Sequence, residues 1–373
     1  MSSSPFFSIV VSCCNVELYV EACLSSLLKQ SFEDWECLIS IETSDDRTEE
    51  LILEKVSADS RFIVLTGPRT GSCSVGRNTG IDEAEGRYLV FLDGDDTLLE
   101  DCLERLHSKI CDNPDADLYP GIIYVYNEFN QSRYSDCNYL PDAREMNGIE
   151  ATLYLDRQWH GRFCPMLQMT IFRREYLTDN FFKCIPGIRC QDAEFSPRVL
   201  FLAKRIVPLH EPFYLYRRRV NSIQSKAKGI DYFYPDWTII TCSLLDFYRE
   251  HSRSESFDRR VAQCWFRQWI PRVFQILFSP EAIKKVPRQK RVEMLACILE
   301  KSAGPLRDML IDAPFQQRVA FFFVFSYLNH PFARAWIDHF FILCFRLKEM
   351  NLKLFHQPQN RRRTGRFLIA PSE

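Results

Sequence analysis

Three carboxylates stand close together in the sequence at the end of a short apolar run. The run, residues 88–92, is too short for a buried helix and predicts a strand that is buried on both faces. Asp93, Asp95 and Asp96 follow it around one glycine. Clustered like charges repel one another and resist desolvation, so they become favourable when a divalent cation such as Mg²⁺ binds among their oxygens. The alternative is a solvated turn whose acids cap a helix that starts near Leu98.

Polar side chains also follow each of the three strands that are predicted earlier in the chain. The strands are residues 7–11, 35–41 and 62–65, and the polar clusters behind them are residues 12–15, 42–46 and 66–74. Amphipathic helices separate the strands, and this alternation implies parallel pairing with right-handed crossovers in an open α/β sheet. Ligands of such sheets bind beyond the carboxyl ends of the strands. The polar clusters therefore predict an active site at that edge.

The residues that follow are expected to complete this domain. We predict a helix that starts near, and after, Leu98 and runs to Cys111, and a second helix that opens at Gln191 and Asp192. Strands are predicted at 117–126, 205–209 and 212–216, and a polar substrate loop at 127–148. From about residue 231 glycine nearly disappears and helical periodicity dominates. The sequence therefore predicts an α/β domain at residues 1–228 and an all-helical domain with a basic tail at residues 229–373.

The amino-acid composition indicates which class of protein this chain belongs to. Of 373 residues, 46% are hydrophobic, and the net charge of −2 argues against nucleic acid as the main partner. The fifteen cysteines form no Cys-x-x-Cys pair and lie mostly in apolar runs, as buried thiols in a reducing cytoplasm do. The N-terminus lacks the basic region of a signal peptide, and the longest apolar run is about half a membrane span. We therefore expect a cytoplasmic protein.

The order of these motifs resembles the family 2 glycosyltransferases, inverting enzymes of the GT-A fold that use nucleotide-diphosphate sugars. Residues 91–96 reproduce the family's Phe-Leu-Asp-x-Asp-Asp pattern, and the other matching segments are residues 12–15, 41–44, 71–80, 191–192 and 214–222. The likeness covers residues 6 to 225 and does not extend to the helical tail. It implies an α/β protein of the GT-A fold, which is Rossmann-like with a mostly parallel sheet flanked by helices, here with a C-terminal all-helical extension.

The resemblance implies that the three aspartates help to bind the phosphates of the sugar-nucleotide donor. Asp95 would bind a Mg²⁺ or Mn²⁺ ion that bridges the two phosphates of the sugar nucleotide. Asp93 would bind the same cation or the ribose. Asp96 would support Asp93 and Asp95 from behind. A cation in that place stabilises the charge that develops on the departing diphosphate.

The resemblance also implies that the nucleotide lies against the ends of the first two strands. Ser12, Cys14 and Asn15 would line it, although Ser12 and Cys14 replace a proline and a tyrosine of the family pattern. A ring that would pack beside the base is therefore missing. Glu42 would accept a hydrogen bond from the edge of the base, with a helix-capping acid as the alternative.

The remaining implied roles concern the diphosphate and the acceptor. Arg77 and Asn78 open a helix after a glycine loop, where an anion can bind, although Arg77 could equally be a structural partner of the acidic strand end. Arg219 and Ser222 would fold over the diphosphate. Asp192 would be the general base that takes the proton of the acceptor hydroxyl, with an N-cap aspartate as the alternative.

These features predict a metal-dependent inverting glycosyltransferase that extends a bacterial surface polysaccharide or lipid-linked glycan, with UDP-sugars as the default donors. A non-catalytic binding or scaffold protein with a degenerate fold is the alternative, suggested by Ser12, Cys14 and Gln191, the last of which replaces the usual glutamate of the family before Asp192. Bulky aromatic and basic residues occur together at 332–353, ahead of arginines at 361–366. That composition suits peripheral contact with the inner face of the cytoplasmic membrane, the alternatives being packing on the catalytic domain or on the second subunit of a homodimer.

Overall fold

The computed structural model describes residues 4–136, 140, 144–159, 166–219, 230–251 and 280–302. These residues fall into two compact units. The N-terminal unit contains the described residues up to 155 and those from 166 to 219, and the helical unit contains residues 156–159, 230–251 and 280–302. The predicted domain boundary at residue 228 lies outside the described residues.

The described residues form helices and strands in regular alternation through the first hundred positions. The strands are β1 (Phe7–Cys13), β2 (Trp35–Glu42), β3 (Phe62–Gly67), β4 (Tyr88–Asp93), β5 (Thr97–Leu98), β6 (Leu118–Pro120), β7 (Ile122–Asn127), β8 (Ser132–Asp136), β9 (Thr170–Arg173) and β10 (Pro212–Arg218). The helices are α1 (Val20–Leu28), α2 (Thr48–Val56), α3 (Ser74–Glu83), α4 (Cys102–Asp112), α5 (Gly148–Trp159), α6 (Arg174–Asp179), α7 (Asp192–Leu202), α8 (Ile230–His251), α9 (Pro280–Lys285) and α10 (Arg288–Ser302).

The main sheet has six strands in the order β3-β2-β1-β4-β9-β6. Its first four strands are parallel, as the alternation of strands and helices predicts. β9 pairs antiparallel with β4, and β6 pairs antiparallel with β9 at the far edge. This mostly parallel sheet with its connecting helices confirms the predicted fold class.

The register of the central strands brings their carboxyl ends to one edge. The residues of β1 and β4 are mostly apolar and almost completely buried, because these strands lie in the middle of the sheet. Ser12 of β1 pairs with Asp93 of β4, and Cys13 pairs with Ile41 of β2. The polar residues that follow the three strands therefore start from the same edge, as the sequence predicts.

A second sheet of four strands, in the order β5-β10-β7-β8, adjoins the acidic segment. β10 is parallel to β7 and antiparallel to the two-residue strand β5, which follows Asp96 directly. Tyr214 of β10 pairs with Leu98 of β5. This pairing brings the side chains of β10 to the acidic cluster.

The single strand predicted at residues 117–126 is wrong, because the chain breaks there into two strands that belong to different sheets. The break is at Gly121, between β6 and β7. A Cβ atom at this position would lie 2.5 Å from Cε1 of the buried Phe213 ring. Only glycine lets the backbone pass this ring without displacing it.

Three other predictions for the N-terminal unit are corrected or refined by the structure. The helix predicted to start near Leu98 is α4, which begins only at Cys102 because Leu98 is paired in β5. Residues 205–209 form no strand, since Ile206 makes only isolated bridges to Leu118 and Met146. The polar segment after residue 127 contains β8, which pairs antiparallel with β7.

In the helical unit, α9 and α10 pack on α8. Trp237, Ile240 and Leu244 of α8 are buried, together with Val286 and Met294. Among the described residues, no helix combines the length and the apolar character that crossing a membrane requires. The aromatic and basic segment at 332–366 lies outside the described residues.

Candidate active site

The acidic cluster lies where β4 ends and the chain turns toward β5. One oxygen of each carboxylate of Asp93, Asp95 and Asp96 lies within 4.8 Å of the other two. The turn approaches β1 closely, because the backbone N–H of Gly94 donates to the carbonyl oxygen of Ser12 at 3.0 Å. A Cβ atom on Gly94 would lie 2.6 Å from the sulfur of Cys13, so glycine is needed for this approach.

Asp96 is fixed by β10 and is only 1% exposed. One carboxylate oxygen accepts from the hydroxyl of Tyr214 at 2.6 Å, and the other accepts from the backbone N–H of Arg217 at 2.6 Å. The same Tyr214 hydroxyl accepts a hydrogen bond from the backbone N–H of Asp93 at 3.1 Å. Asp96 and Tyr214 therefore anchor the acidic turn to the second sheet.

Asp93 and Asp95 remain partly accessible and are held by side chains from three other elements. Arg77 of α3 donates from Nη2 to Asp93 Oδ1 at 2.9 Å, and Gln168 donates from Nε2 to Asp93 Oδ2 at 2.6 Å. Arg219, directly after β10, donates from Nε to Asp95 Oδ2 at 2.6 Å. Donors thus hold both carboxylate oxygens of Asp93 and one carboxylate oxygen of Asp95.

The electrostatics of the cluster favour a bound cation. Burial and the charge of Asp93 raise the pKa of Asp95, although Arg219 opposes the shift. Burial and the charges of Asp95 and Asp93 raise the pKa of Asp96. Carboxylate oxygens in close proximity are the ligands that Mg²⁺ and Mn²⁺ prefer. The donor set therefore fits a hard divalent cation, which would relieve the mutual repulsion of the acids.

Arg77 connects the acidic cluster to the beginning of α7. Its side chain is buried, with Nη1 3.2 Å from Oε1 of Gln191 and 3.8 Å from Oδ1 of Asp192. Burial works against the charge of Arg77, but Asp93 and then Asp192 raise its pKa above the ordinary value, so the guanidinium stays charged. The structure thus supports the structural reading of Arg77, as a partner of the acidic strand end, and also brings it to Asp192.

Asp192 is the first residue of α7, and Gln191 precedes the helix at the N-cap position. The carboxylate of Asp192 accepts a hydrogen bond from the backbone N–H of Leu167 at 3.2 Å, and its side chain keeps 31% of its surface exposed. Burial raises its pKa, while Arg77 and the Leu167 N–H act in the opposite direction. A partly accessible carboxylate with a raised pKa suits a general base.

Glu42 fastens the loop that follows β3. Its carboxylate accepts hydrogen bonds from the backbone N–H groups of Thr70 and Gly71, at 3.2 and 3.3 Å, and from the Thr70 hydroxyl. It does not cap α2, because Asp46 accepts the bond from the backbone N–H of Thr48 at 3.0 Å. Glu42 nevertheless lies at the end of β2, on the edge of the sheet where the base of the nucleotide is expected to bind.

Two predicted nucleotide contacts are engaged in holding loops. Asn15 has φ of 52° and accepts from the backbone N–H of Asp45 at 2.7 Å, which ties the loops after β1 and β2 together. Asn78 exchanges two hydrogen bonds of 2.8 Å with the backbone of Cys184. Both asparagines therefore have structural partners and are not directed to the acidic cluster by any of these bonds.

The other predicted residues at this edge are Ser12, Cys14 and Ser222. The Ser12 hydroxyl is buried and has no hydrogen-bond partner among the described residues. The Cys14 sulfur lies 4.0 Å from the carbonyl oxygen of Thr43. Ser222 lies outside the described residues.

Three residues of the site were missed by the sequence analysis: Gln168, Tyr214 as an anchor of Asp96, and Arg217. Arg217 also donates from Nε to the backbone carbonyl of Asp95 at 3.1 Å. Gln168 left one signal, because it is a polar residue inside the apolar segment 163–177. The contacts of Tyr214 and Arg217 depend on the pairing of β10 with β5, which the sequence pattern does not specify.

Comparison with known proteins identifies a matching family and several similar proteins. Residues 8–181 match the family model described as Glycosyl transferase family 2. Over 224 residues the chain is 30% identical to an uncharacterised glycosyltransferase, EpsJ, of Bacillus subtilis, an alignment that covers 59% of this chain and 63% of the relative. The chain thus spans less than two thirds of that relative.

A shorter alignment and a solved structure extend the comparison. The chain is 35% identical over 120 residues to UDP-Glc:alpha-D-GlcNAc-diphosphoundecaprenol beta-1,3-glucosyltransferase WfgD of Escherichia coli, which covers 32% of this chain and 47% of the relative. The crystal structure of S. aureus TarS 1-349 in complex with UDP-GlcNAc superposes with a TM-score of 0.59 at 20% identity, covering 79% of this chain and 80% of TarS 1-349. At this identity the likeness to TarS shows a common fold.

Proposed function

We propose that this chain is a member of glycosyl transferase family 2, whose model matches residues 8–181, and that it transfers a sugar from a nucleoside diphosphate sugar to a hydroxyl group of a glycan or lipid-linked acceptor. UDP-sugars are the proposed donors. The cluster of Asp93, Asp95 and Asp96 at the carboxyl edge of the sheet is the observation that supports this proposal most directly, because its repulsion is relieved by a cation that also binds a diphosphate.

Asp95 and Asp93 would hold a Mg²⁺ or Mn²⁺ ion against the diphosphate of the donor. When bound, this cation would offset the negative charge that the leaving diphosphate acquires. Arg219, which pairs with Asp95, would bind the diphosphate with charge-assisted hydrogen bonds. Arg77 would keep the Asp93 carboxylate oriented while the donor binds.

Asp192 would act as the general base. The acceptor hydroxyl loses its proton to this carboxylate as the acceptor oxygen attacks the anomeric carbon, while the bond from that carbon to the diphosphate breaks. Attack on the face opposite the leaving group inverts the anomeric configuration. Arg77 and the backbone N–H of Leu167 support this role, because both stabilise the ionised form of Asp192.

The proposed class of acceptor is based on the similarity of this chain to WfgD. WfgD is named for transfer to a sugar carried on diphosphoundecaprenol, and its similarity to this chain supports a glycan or lipid-linked acceptor in surface-polysaccharide synthesis. Such an acceptor would bring this protein to the inner face of the cytoplasmic membrane, where we propose that it acts.

A screen of nucleotide sugars tests the proposal. The full-length protein is incubated with each of a panel of UDP-, GDP- and dTDP-sugars and Mn²⁺, and release of the nucleoside diphosphate is followed with and without a lipid-linked glycan acceptor. We expect one donor to be turned over, with acceptor-dependent stimulation, and no turnover by Asp95→Asn. Absence of turnover and of any thermal shift with every donor would contradict the proposal and favour a binding or scaffold protein.

A further inference from the structure

We propose that Gln168 is a positioning residue of this site. It holds the Asp93 carboxylate in one orientation and, together with its neighbour Leu167, sets the separation between Asp93 and Asp192. The inference rests on the proposed function and adds a residue that belongs to none of the motifs by which the chain resembles its family.

The amide of Gln168 is buried against Asp93. Gln168 lies in a 3-10 turn, Leu167–Met169, directly before β9, and is 5% exposed. It donates to one oxygen of Asp93 at 2.6 Å, while Arg77 donates to the other at 2.9 Å. The terminal torsion of an aspartate is broad, so a carboxylate keeps one orientation only when its oxygens are held. Here two donors hold it from two different elements.

The same turn also holds Asp192. The backbone N–H of Leu167 donates to Asp192 Oδ1 at 3.2 Å. The consecutive residues Leu167 and Gln168 therefore bind the proposed general base, Asp192, and the proposed cation ligand, Asp93. Arg77 provides a second link, with Nη1 3.8 Å from Asp192 Oδ1. Because misplacement of reacting groups by about 1 Å can cost a hundredfold in rate, a turn that fixes both acids controls the geometry of transfer.

A neutral hydrogen-bond donor suits the position of Gln168. Arg77 already gives Asp93 one positively charged partner, and a lysine or arginine at position 168 would add a second that competes with a metal ion, whereas a glutamate would repel Asp93. Gln168 donates a hydrogen bond and adds no charge. Its Oε1 is buried without a hydrogen-bond partner among the described residues, which is unfavourable for folding. Packing alone therefore does not account for a buried amide here, and the contact with Asp93 does.

The test compares two buried glutamines. Gln168→Met keeps a similar volume and removes the donor to Asp93. Gln30→Met is the matched control, because Gln30 is 6% exposed and its amide bonds only to structural groups, among them the backbone of Leu99 and Leu103. For the full-length proteins we measure UDP affinity with Mn²⁺ by calorimetry, the melting temperature, and turnover with the donor found by the screen.

We expect Gln168→Met to lower both the Mn²⁺-dependent UDP affinity and the turnover by about 10–100-fold, the range typical of groups that orient metal ligands. Its melting temperature should change little, because the substitution also removes the unpartnered amide oxygen. Gln30→Met should lower the melting temperature and leave UDP affinity and turnover of the folded protein unchanged.

Unchanged UDP affinity and turnover in Gln168→Met would overturn the proposal, as would equal losses in the two variants. If Gln168→Met does not fold, Gln168→Glu takes its place, because it keeps the shape of the side chain and places an acceptor against Asp93. Unchanged binding in that variant would overturn the proposal equally. A wild-type protein that binds neither Mn²⁺ nor UDP would instead overturn the proposed function, and this inference with it.

Discussion

Asp93, Asp95 and Asp96 are neighbours in the sequence, but different groups hold them. Asp96 is buried and bonds to Tyr214 and the backbone of Arg217, so it fixes the turn. Asp93 and Asp95 stay partly accessible, and each forms an ion pair with an arginine, Arg77 and Arg219 respectively. The supporting role that the sequence resemblance implies for Asp96 stays a prediction.

The residues of this site differ in how far the sequence could predict them. Asp93 and Asp95 were predictable because their signal is local, a buried strand that ends in clustered charge. The contact between Gln168 and Asp93 could not be predicted, because the two residues are 75 positions apart and meet only through the pairing of β4 with β9. Arg77 illustrates an intermediate case, since its helix and its possible pairing with the acidic strand end were predicted, whereas its contacts with Gln191 and Asp192 were not.

Asp192→Asn tests the proposed base. We expect turnover to fall by about 10²–10⁴-fold, the range typical of general acid–base catalysis, because the amide cannot take the acceptor proton. Donor affinity should barely change, since Asp192 acts on the acceptor. The measurement combines steady-state kinetics with calorimetry of UDP binding. Loss of donor affinity with unchanged turnover of bound donor would make Asp192 a structural residue.

The pH dependence of turnover gives an independent test of the same residue. Burial raises the pKa of Asp192, and Arg77 and Leu167 offset only part of the shift. A base works when deprotonated, so turnover should fall as the pH falls through this pKa, at a pH above the ordinary aspartate value of about 3.9. With saturating donor and Mn²⁺, this acidic decline should be absent from the residual turnover of Asp192→Asn. Its persistence would assign the decline to another group.

At the scale of elements, the parallel half of the main sheet follows from the sequence and the break after β6 does not. Residues 117–126 are mostly apolar or aromatic and read as one continuous strand. The chain nevertheless changes sheets at Gly121, because the ring of Phe213 lies beside it. Phe213 follows 92 positions later, so no local pattern could indicate this contact.

Gly121→Ala should therefore destabilise the protein by about 1–3 kcal/mol, the usual cost of overpacking a buried site. The new Cβ atom would meet Cε1 and Cδ1 of Phe213 at 2.5 and 2.7 Å, and this ring is buried and cannot swing away. Urea unfolding is the measurement. Gly67→Ala at the end of β3 is the control, since a Cβ atom added there would have no neighbouring atom within 4 Å. Equal stability of the two variants would contradict the packing argument.

At the scale of the whole molecule, the helical unit and the C-terminal tail carry a prediction that the described residues do not test. Residues 334–366 contain eight basic and two acidic residues beside several bulky aromatics. Each basic residue near an anionic membrane contributes about 1 kcal/mol, so we predict reversible attachment to anionic liposomes that weakens as salt rises.

Flotation of the full-length protein with anionic liposomes at low and high salt measures this attachment. Replacing Arg361, Arg362 and Arg363 with glutamine should reduce the floating fraction at low salt and leave UDP binding intact. Equal flotation of wild type and variant, or none for either, would favour packing of the tail on the catalytic domain or on a second subunit.

The central claim is that the acidic cluster binds the donor diphosphate through a divalent cation, and calorimetry of UDP binding tests it most directly. We predict that Mn²⁺ tightens UDP binding at least about tenfold over binding in EDTA, because a cation among the carboxylates bridges them to the phosphates. Asp95→Asn should lose this gain and keep the weaker metal-free binding. Equally tight UDP binding with and without Mn²⁺ in the wild-type protein would contradict this claim.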